Sequence, residues 1–501
     1  MPRYLPPGAL APISNSPSKL FSMKKIITIS LVICALSACK KFDNTNPNVP
    51  VDVNPGVVLP QIFYNISNTL TWSAFELNNE LIQYTCQSNT FTEVQRFKLE
   101  PSNSNTVWAL YSRVRDIDNI IALSEKTEGL ENYKAIAQIT RAFIFSILTD
   151  TYGNIPYSRA GLALQQKVFD PAYDLQQDIY PDLIRKLEEA AAMIDESKGL
   201  PFSGDAIYKG NMLRWRKFAN SLQLRLLMRI SAKQGTGAAA KITTMLSAPA
   251  AYPLITTNDD NALYHYTGSL PDVLPVSLAN LQDFTFKYKS VSAFIVDSLS
   301  KFNDSRLFQF ARPTNASAGT ANPQYVGLPN GLPVAESANY NGGQNFQSYI
   351  GTRFQVSTEP GIWMTAAEVA FLKAEAALKG YYTADARQLY EDGIRTSFQY
   401  WNAPFDESYL SQPGVSFDGQ LPKVYLQKYF ALFFCGMEAW AEYRRTGYPL
   451  LVPGPTNVND GKIPSRLAYP LEEQSLNSIH YKEAINLIGG DDINGKMWWQ
   501  P

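Results

Sequence analysis

The chain has 501 residues, 45% hydrophobic and 12% aromatic, far more apolar material than a disordered polypeptide carries and enough for a sizeable core. Lys and Arg number 44 against 45 Asp and Glu, a net charge of −1 with no clustered basic face, which excludes nucleic acid as a partner. Two histidines, His265 and His480, and four cysteines are too few for a His-rich catalytic or zinc centre, so neither a metal nor a cofactor is called for.

Residues 1–22, proline-rich and without an apolar run, read as an extension upstream of a true start at Met23. Residues 23–38 have the layout of a secretory signal: Lys24-Lys25, an apolar run from Ile26 to Ala35 too short to span a bilayer, then Leu36-Ser37-Ala38. Cys39 directly after that triplet resembles a bacterial lipobox, in which the thiol is lipidated and becomes the first mature residue. Removing residues 1–38 takes away Arg3, Lys19, Lys24 and Lys25 and no acidic residue, so the net charge moves from −1 to −5. Residues 39–55, rich in Asn and Pro, form a polar tether, and 56–501 are expected to be one domain.

Helical periodicity dominates that domain. Residues 107–126 place Leu110, Val114, Ile117 and Ile121 on one face, and 133–152 follow as an antiparallel partner through Ile136, Ile139, Phe143 and Ile147. Further helices are expected at 175–195 and 211–232. Residues 368–397 form a second hairpin, broken at Gly380 and restarted after Thr383 as N-cap, with Ala374, Ala386, Tyr390 and Gly393 at tetratricopeptide-like spacing. A last helical segment is expected over 428–445. The fold class is mainly α: helix hairpins carrying long inserted loops, of which the largest, 313–361, is rich in Gly, Pro and Asn and studded with aromatics.

Catalytic signatures are missing: there is no G-x-S-x-G, H-E-x-x-H, G-x-G-x-x-G or C-x-x-C. Gly490-x4-Gly495-Lys496 imitates a phosphate loop, but Met497 stands where Ser or Thr would hold magnesium, and no strand precedes it. Glu438 and Glu442 share a helix face, with Arg445 one turn on, and read as ion-paired rather than catalytic. Asp259-Asp260 lacks a cation-loop spacing and reads as a turn, and His480 is placed in a C-terminal loop. Cys86 and Cys435 match no metal spacing and are either one disulfide or, as favoured, two buried thiols.

Several segments together resemble the SusD/RagB family of Bacteroidetes outer-membrane lipoproteins, in particular its SusD-like subgroup. They are the lipobox with Asn46-Pro47-Asn48, RAFIFSILTDTYGNIPY over 141–157, WRKFANSLQLRLLMRIS over 215–231, MTAAEVAFLKAEAALKG over 364–380, EAWAEYRRTGYP over 438–449, and 463–470 with 489–499. The resemblance implies a mostly helical SusD-like fold with tetratricopeptide-like hairpins, anchored by lipid in the outer membrane and facing the exterior. It further implies capture of oligosaccharide and delivery to a SusC-like TonB-dependent transporter. Lys40 and Lys41 follow the cysteine where surface-exported relatives carry acidic residues; here only Asp43 does.

The shared motifs transfer no ligand-binding residue. Sugar rings stack C–H faces on aromatic rings while amides bond the hydroxyls, which selects Trp72, Tyr325, Tyr340 and Phe346 for stacking and Asn341, Gln344 and Asn345 as polar partners. Trp108, Trp215 and Trp440 fall on helical stripes and belong to the core. Three alternatives stay open: a peptide receptor of the same architecture, a surface glycoside hydrolase, and a purely structural partner of the transporter.

Overall fold

In the computed structural model, residues 54–88, 93–277 and 289–501 are described. The upstream extension, the signal segment, Cys39 and most of the tether lie outside the described residues. The first helix, α1 (Pro55–Ser73), takes over the tether's last residue. Asn54 caps it, its Oδ1 accepting from the Gly56 amide at 2.8 Å, and Pro55 starts it where a missing N–H is harmless. Leu59, Ile62, Phe63, Ile66 and Leu70 recur every three or four residues and are all buried.

The expected helix over 107–126 is shorter. A helical turn, Asn105–Trp108, passes into a 3-10 segment, Ala109–Arg113, before α2 (Val114–Lys126) begins. The tighter winding eclipses positions three apart, so Trp108 and Tyr111 lie 4.7 Å apart, while the Tyr111 hydroxyl donates to the Pro156 carbonyl at 2.6 Å. Its antiparallel partner α3 (Glu131–Tyr152) is joined to it by Arg141 and Asp118 at 2.8 Å. Next come α4 (Gln176–Met193) and α5 (Met212–Ile230), close to the expected bounds.

Two small antiparallel ladders tie distant segments together. β1 (Thr85–Gln87) pairs with β3 (Lys289–Val291), and β2 (Ala262–Tyr264) with β4 (Gly361–Met364). The second hairpin follows as α6 (Ala366–Leu378) and α7 (Ala386–Tyr400). Asp385, not Thr383, is the N-cap of α7: its carboxylate accepts from the amides of Arg387 and Gln388 at 2.9 and 3.2 Å, and its charge suits the positive helix end better than a hydroxyl. Gly393 lies against Phe371, where a Cβ would come within 2.7 Å of the ring.

The segment expected as one helix over 428–445 is two: α8 (Leu421–Ala431) and α9 (Glu438–Thr446). Between them Phe434 and Gly436 adopt φ of 63° and 54°, a left-handed break. That break drives Phe433 and Phe434 into the core, each stacked at 4.2 Å, on Phe310 and Phe354 respectively. His480 lies not in a loop but in α10 (Ser478–Leu487), its Nδ1 2.8 Å from Glu483 one turn on.

A charged cluster crosses the helix layers. Glu368 of α6 takes a bidentate bond from Arg225 of α5 at 2.6 and 2.7 Å, and Glu375 takes one from Arg445 of α9 at 2.6 Å. Arg229 of α5 reaches Asp150 of α3, Glu438 and Glu442; Glu442 also pairs with Lys428 at 2.8 Å and Arg445 at 2.7 Å. The carboxylates of Asp150, Glu368, Glu375, Glu438 and Glu442 are thus compensated in place, and Arg444 lies over the Trp440 ring at 3.7 Å with its Nη1 donating to the Asp150 carbonyl at 2.6 Å. Desolvation cancels much of the attraction in such clusters, so what they fix above all is which helix lies beside which. Trp215 and Trp440 are fully buried, as their stripes required, and Trp108 packs on the same core. Cys86 and Cys435 are buried free thiols, both pushed well above the usual thiol range by burial. No described helix is long and apolar enough to cross a membrane.

Candidate functional site

Residues 313–361 are not the featureless loop the composition predicts. They hold a short helix, Val334–Asn339, and several 3-10 turns, and backbone bonds sew two of their strips together. Thr314 N–H reaches the Gln324 carbonyl at 2.8 Å, Ala316 reaches Asn345 at 2.9 Å, Ser348 reaches Val326 at 2.8 Å, and Arg312 reaches Tyr349 at 2.9 Å. The Ser348 hydroxyl returns an acceptor to Val326 N–H at 3.0 Å. Tyr325 is therefore held beside the strip that carries 345–349.

Within that strip, 340–346 form one tight turn. Asn341, Gly342 and Gly343 take φ of 54°, 94° and 106°, a left-handed run that glycine enters without a Cβ clash and asparagine tolerates. The Asn341 amide Nδ2 donates to the Phe346 carbonyl at 3.0 Å, and buried Gln347 donates to the carbonyls of Ser337 and Tyr340 at 2.7 and 3.2 Å. The Tyr349 hydroxyl closes the far side on the Gln344 carbonyl at 3.2 Å. Locked this way, the turn presents Phe346 at 46% exposure, its ring beside Gly342, with Asn345 exposed and Tyr340 and Gln344 half-buried.

The structure thus brings six of the seven sequence-selected residues into one loop cluster: Tyr325, Tyr340, Asn341, Gln344, Asn345 and Phe346. Asn341 already uses an N–H to close the turn, which leaves its amide oxygen for a ligand. Trp72 stands on α1 instead, half-buried and edge-on to Phe75 at 6.0 Å. The link back to the cluster runs through Lys289: its ammonium lies 4.6 Å from the Phe75 ring and pairs with buried Glu80, and its carbonyl accepts from Ile350 N–H at 3.0 Å.

Two residues escaped the sequence reading. Phe308, 55% exposed, lies 5.2 Å from Tyr325 and makes an aromatic pair with it; its neighbours Leu307 and Phe310 point inward, and a four-residue helix is too short for periodicity to separate the faces. Glu76, one turn beyond Trp72, has a carboxyl raised by desolvation, an effect that Lys289 offsets only in part and nearby Glu80 adds to. Partial burial likewise raises the Tyr325 phenol.

Nothing in this arrangement resembles an acid–base pair. Glu438 and Glu442 are held inside the ion cluster, and Asp260 is buried, closing a capping box with Thr257 and pairing with Lys217 at 2.8 Å. Among the described residues no group of three or more His, Cys, Asp or Glu is placed to hold a metal. What the cluster offers is exposed ring faces flanked by amides, the combination that holds hydroxylated rings by stacking and hydrogen bonds.

The comparisons with known proteins come down on one family. A SusD-like family model, described as starch-binding and associating with the outer membrane, matches residues 47–470. A solved chitin-binding protein is 28% identical, with a TM-score of 0.76, over 89% of this chain and all of that one. A SusD homologue from Bacteroides uniformis ATCC 8492 is 28% identical with a TM-score of 0.77, over 89% of this chain and 99% of its own. Another, from Bacteroides fragilis NCTC 9343, is 25% identical with a TM-score of 0.74, over 90% and 99%. No curated protein matches the chain.

Proposed function

The chain belongs to the SusD-like family of starch-binding, outer-membrane-associated proteins, and from that premise we propose that it captures oligosaccharide and hands it to a SusC-like TonB-dependent transporter. The observation that carries this reading is the locked turn 340–346, which holds Phe346 outward beside the Tyr325–Phe308 pair. The ligand is held by these rings, with Gln344, Asn345 and the Asn341 oxygen on its hydroxyls and Trp72 at the margin. The chitin-binding protein among the solved neighbours supports a glycan rather than a peptide.

Capture here is binding without turnover. Residues 23–38 act as the export signal and Cys39 as the lipidated residue, with 39–54 spacing the lipid from the single domain that follows, on the outer face of the membrane. Calorimetric titration of the mature chain against chitin and starch oligosaccharides and peptides, each mixture then assayed for cleavage, tests the reading. Saturable heat with intact glycan is the expected result. Cleaved glycan would make the protein a hydrolase, and heat with peptides alone would make it a peptide receptor. Loss of fatty-acid labelling in Cys39→Ala tests the anchor.

A further inference from the structure

A second concave site shares no residue with the loop cluster. The end of α3, the start of α4 and residues 487–498 enclose a cavity of about 380 Å³, within the range of small-molecule sites. Gly153 and Gly495 keep its floor low: a Cβ at the first would meet the Met497 sulfur at 3.6 Å, and at the second the Arg466 Cδ at 3.4 Å.

Its wall carries half-buried Trp498, whose ring lies 6.0 Å from that of Tyr180 and whose backbone is anchored. Trp498 N–H donates to the Gln176 side-chain oxygen at 2.8 Å, and Gln176 is itself anchored by donating to the Thr149 carbonyl at 2.7 Å. Leu487, 67% exposed, and Ile488 give the mouth an apolar edge, and Gln177 stands exposed beside them. The lining contains no Asp or Glu but two cations, Arg466 and Lys496. Arg466 is 2% exposed; its Nη1 reaches Asp491 at 2.6 Å and its Nε the Tyr152 carbonyl at 3.2 Å, but its Nη2 has no acceptor. Asp491 is shared with Tyr469 N–H at 3.0 Å and the Tyr481 hydroxyl at 3.3 Å, so it does not saturate the guanidinium. Lys496 is exposed at the rim, donating to the Pro501 carbonyl at 2.7 Å.

An aromatic wall with an apolar edge suits the C–H face of a ring, and a lining of cations and amides without a carboxylate suits an anion. We propose that this cavity is a second binding site, for a small ring-shaped molecule bearing a carboxylate, of the hexuronate class. The ring stacks on Trp498 and the carboxylate lies toward Lys496 at the rim, with the buried charge of Arg466 behind it.

Titrating the mature chain with glucuronate and galacturonate, and with glucose as the neutral control, tests this. Saturable heat is expected with a uronate and binding at least tenfold weaker with glucose. Trp498→Ala and the surface change Lys496→Gln should each weaken the uronate at least tenfold, the thermal melt unchanged for Lys496→Gln and lowered for Trp498→Ala, which loses packing on Tyr180, whereas Phe346→Ala in the loop cluster should leave uronate binding untouched. Equal binding of glucose, uronate affinity indifferent to both Trp498→Ala and Lys496→Gln, or no saturable heat with either uronate would each overturn the proposal. All three outcomes leave the oligosaccharide reading of the loop cluster standing, because that reading is tested by other ligands and other variants.

Discussion

At the scale of single residues, the proposed binding and the stability of the fold fall to different side chains, and this makes both testable. Phe346 is exposed and Tyr325 half-buried, so their removal leaves little cavity; each stacking contact contributes on the order of 1 kcal/mol. Phe346→Ala and Tyr325→Ala should each weaken glycan binding roughly fivefold by calorimetry, with the melting temperature nearly unchanged. Gly342→Ala should weaken glycan binding too, with some loss of stability: φ of 94° disfavours any Cβ by about 1–2 kcal/mol, and the new Cβ would lie 3.4 Å from the Phe346 ring the turn presents. Inside the ion cluster the outcome reverses. Glu438→Gln removes a carboxylate that Arg229 and Arg225 share, each keeping another in Asp150 and Glu368, and should lower the urea midpoint while the folded fraction binds normally.

At the scale of elements, the α6–α7 hairpin depends on one close approach. Gly393→Ala puts a methyl within 2.7 Å of the Phe371 ring, and overpacking of this kind should destabilise the protein by about 1–3 kcal/mol, read as a lower urea midpoint with an unchanged slope. Long amphipathic helices were legible in the sequence because their apolar spacing repeats over many turns; α3, α4 and α5 fall within a few residues of where periodicity puts them. Interruptions were not, since they answer to tertiary demands: the 3-10 segment follows from packing Trp108 on Tyr111, and the break before Glu438 from burying Phe433 and Phe434. The loop site was half legible. Gly, Asn and aromatic content marked the cluster, but composition does not show that Gln347 is buried to hold the turn, that Asn341 closes it, or that Phe308 faces outward beside Tyr325.

At the scale of the whole molecule, the charged cluster sets the response to acid. Burial alone raises Glu442 and Glu375, but Arg445 and the neighbouring Lys428 and Lys379 outweigh it and hold both carboxyls below their ordinary range. Groups depressed in the folded state contribute stability that is complete above the unfolded carboxylate value, about 4.3, and is lost as pH falls through their folded values. Asp150 and Glu368 run the other way, raised by burial, and soften the loss. Urea midpoints measured down a pH series should therefore fall below about pH 4, and Glu442→Gln should flatten that limb. The same cluster bears on the order in which the chain becomes a protein. Arg229 waits 209 residues for Glu438, and the Asp150 carbonyl waits 294 for Arg444. Until α9 is in place, Arg229 has only Asp150 among its carboxylates and Glu375 lacks its bidentate arginine, so the pairs that fix α9 against α3, α5 and α6 are completed last.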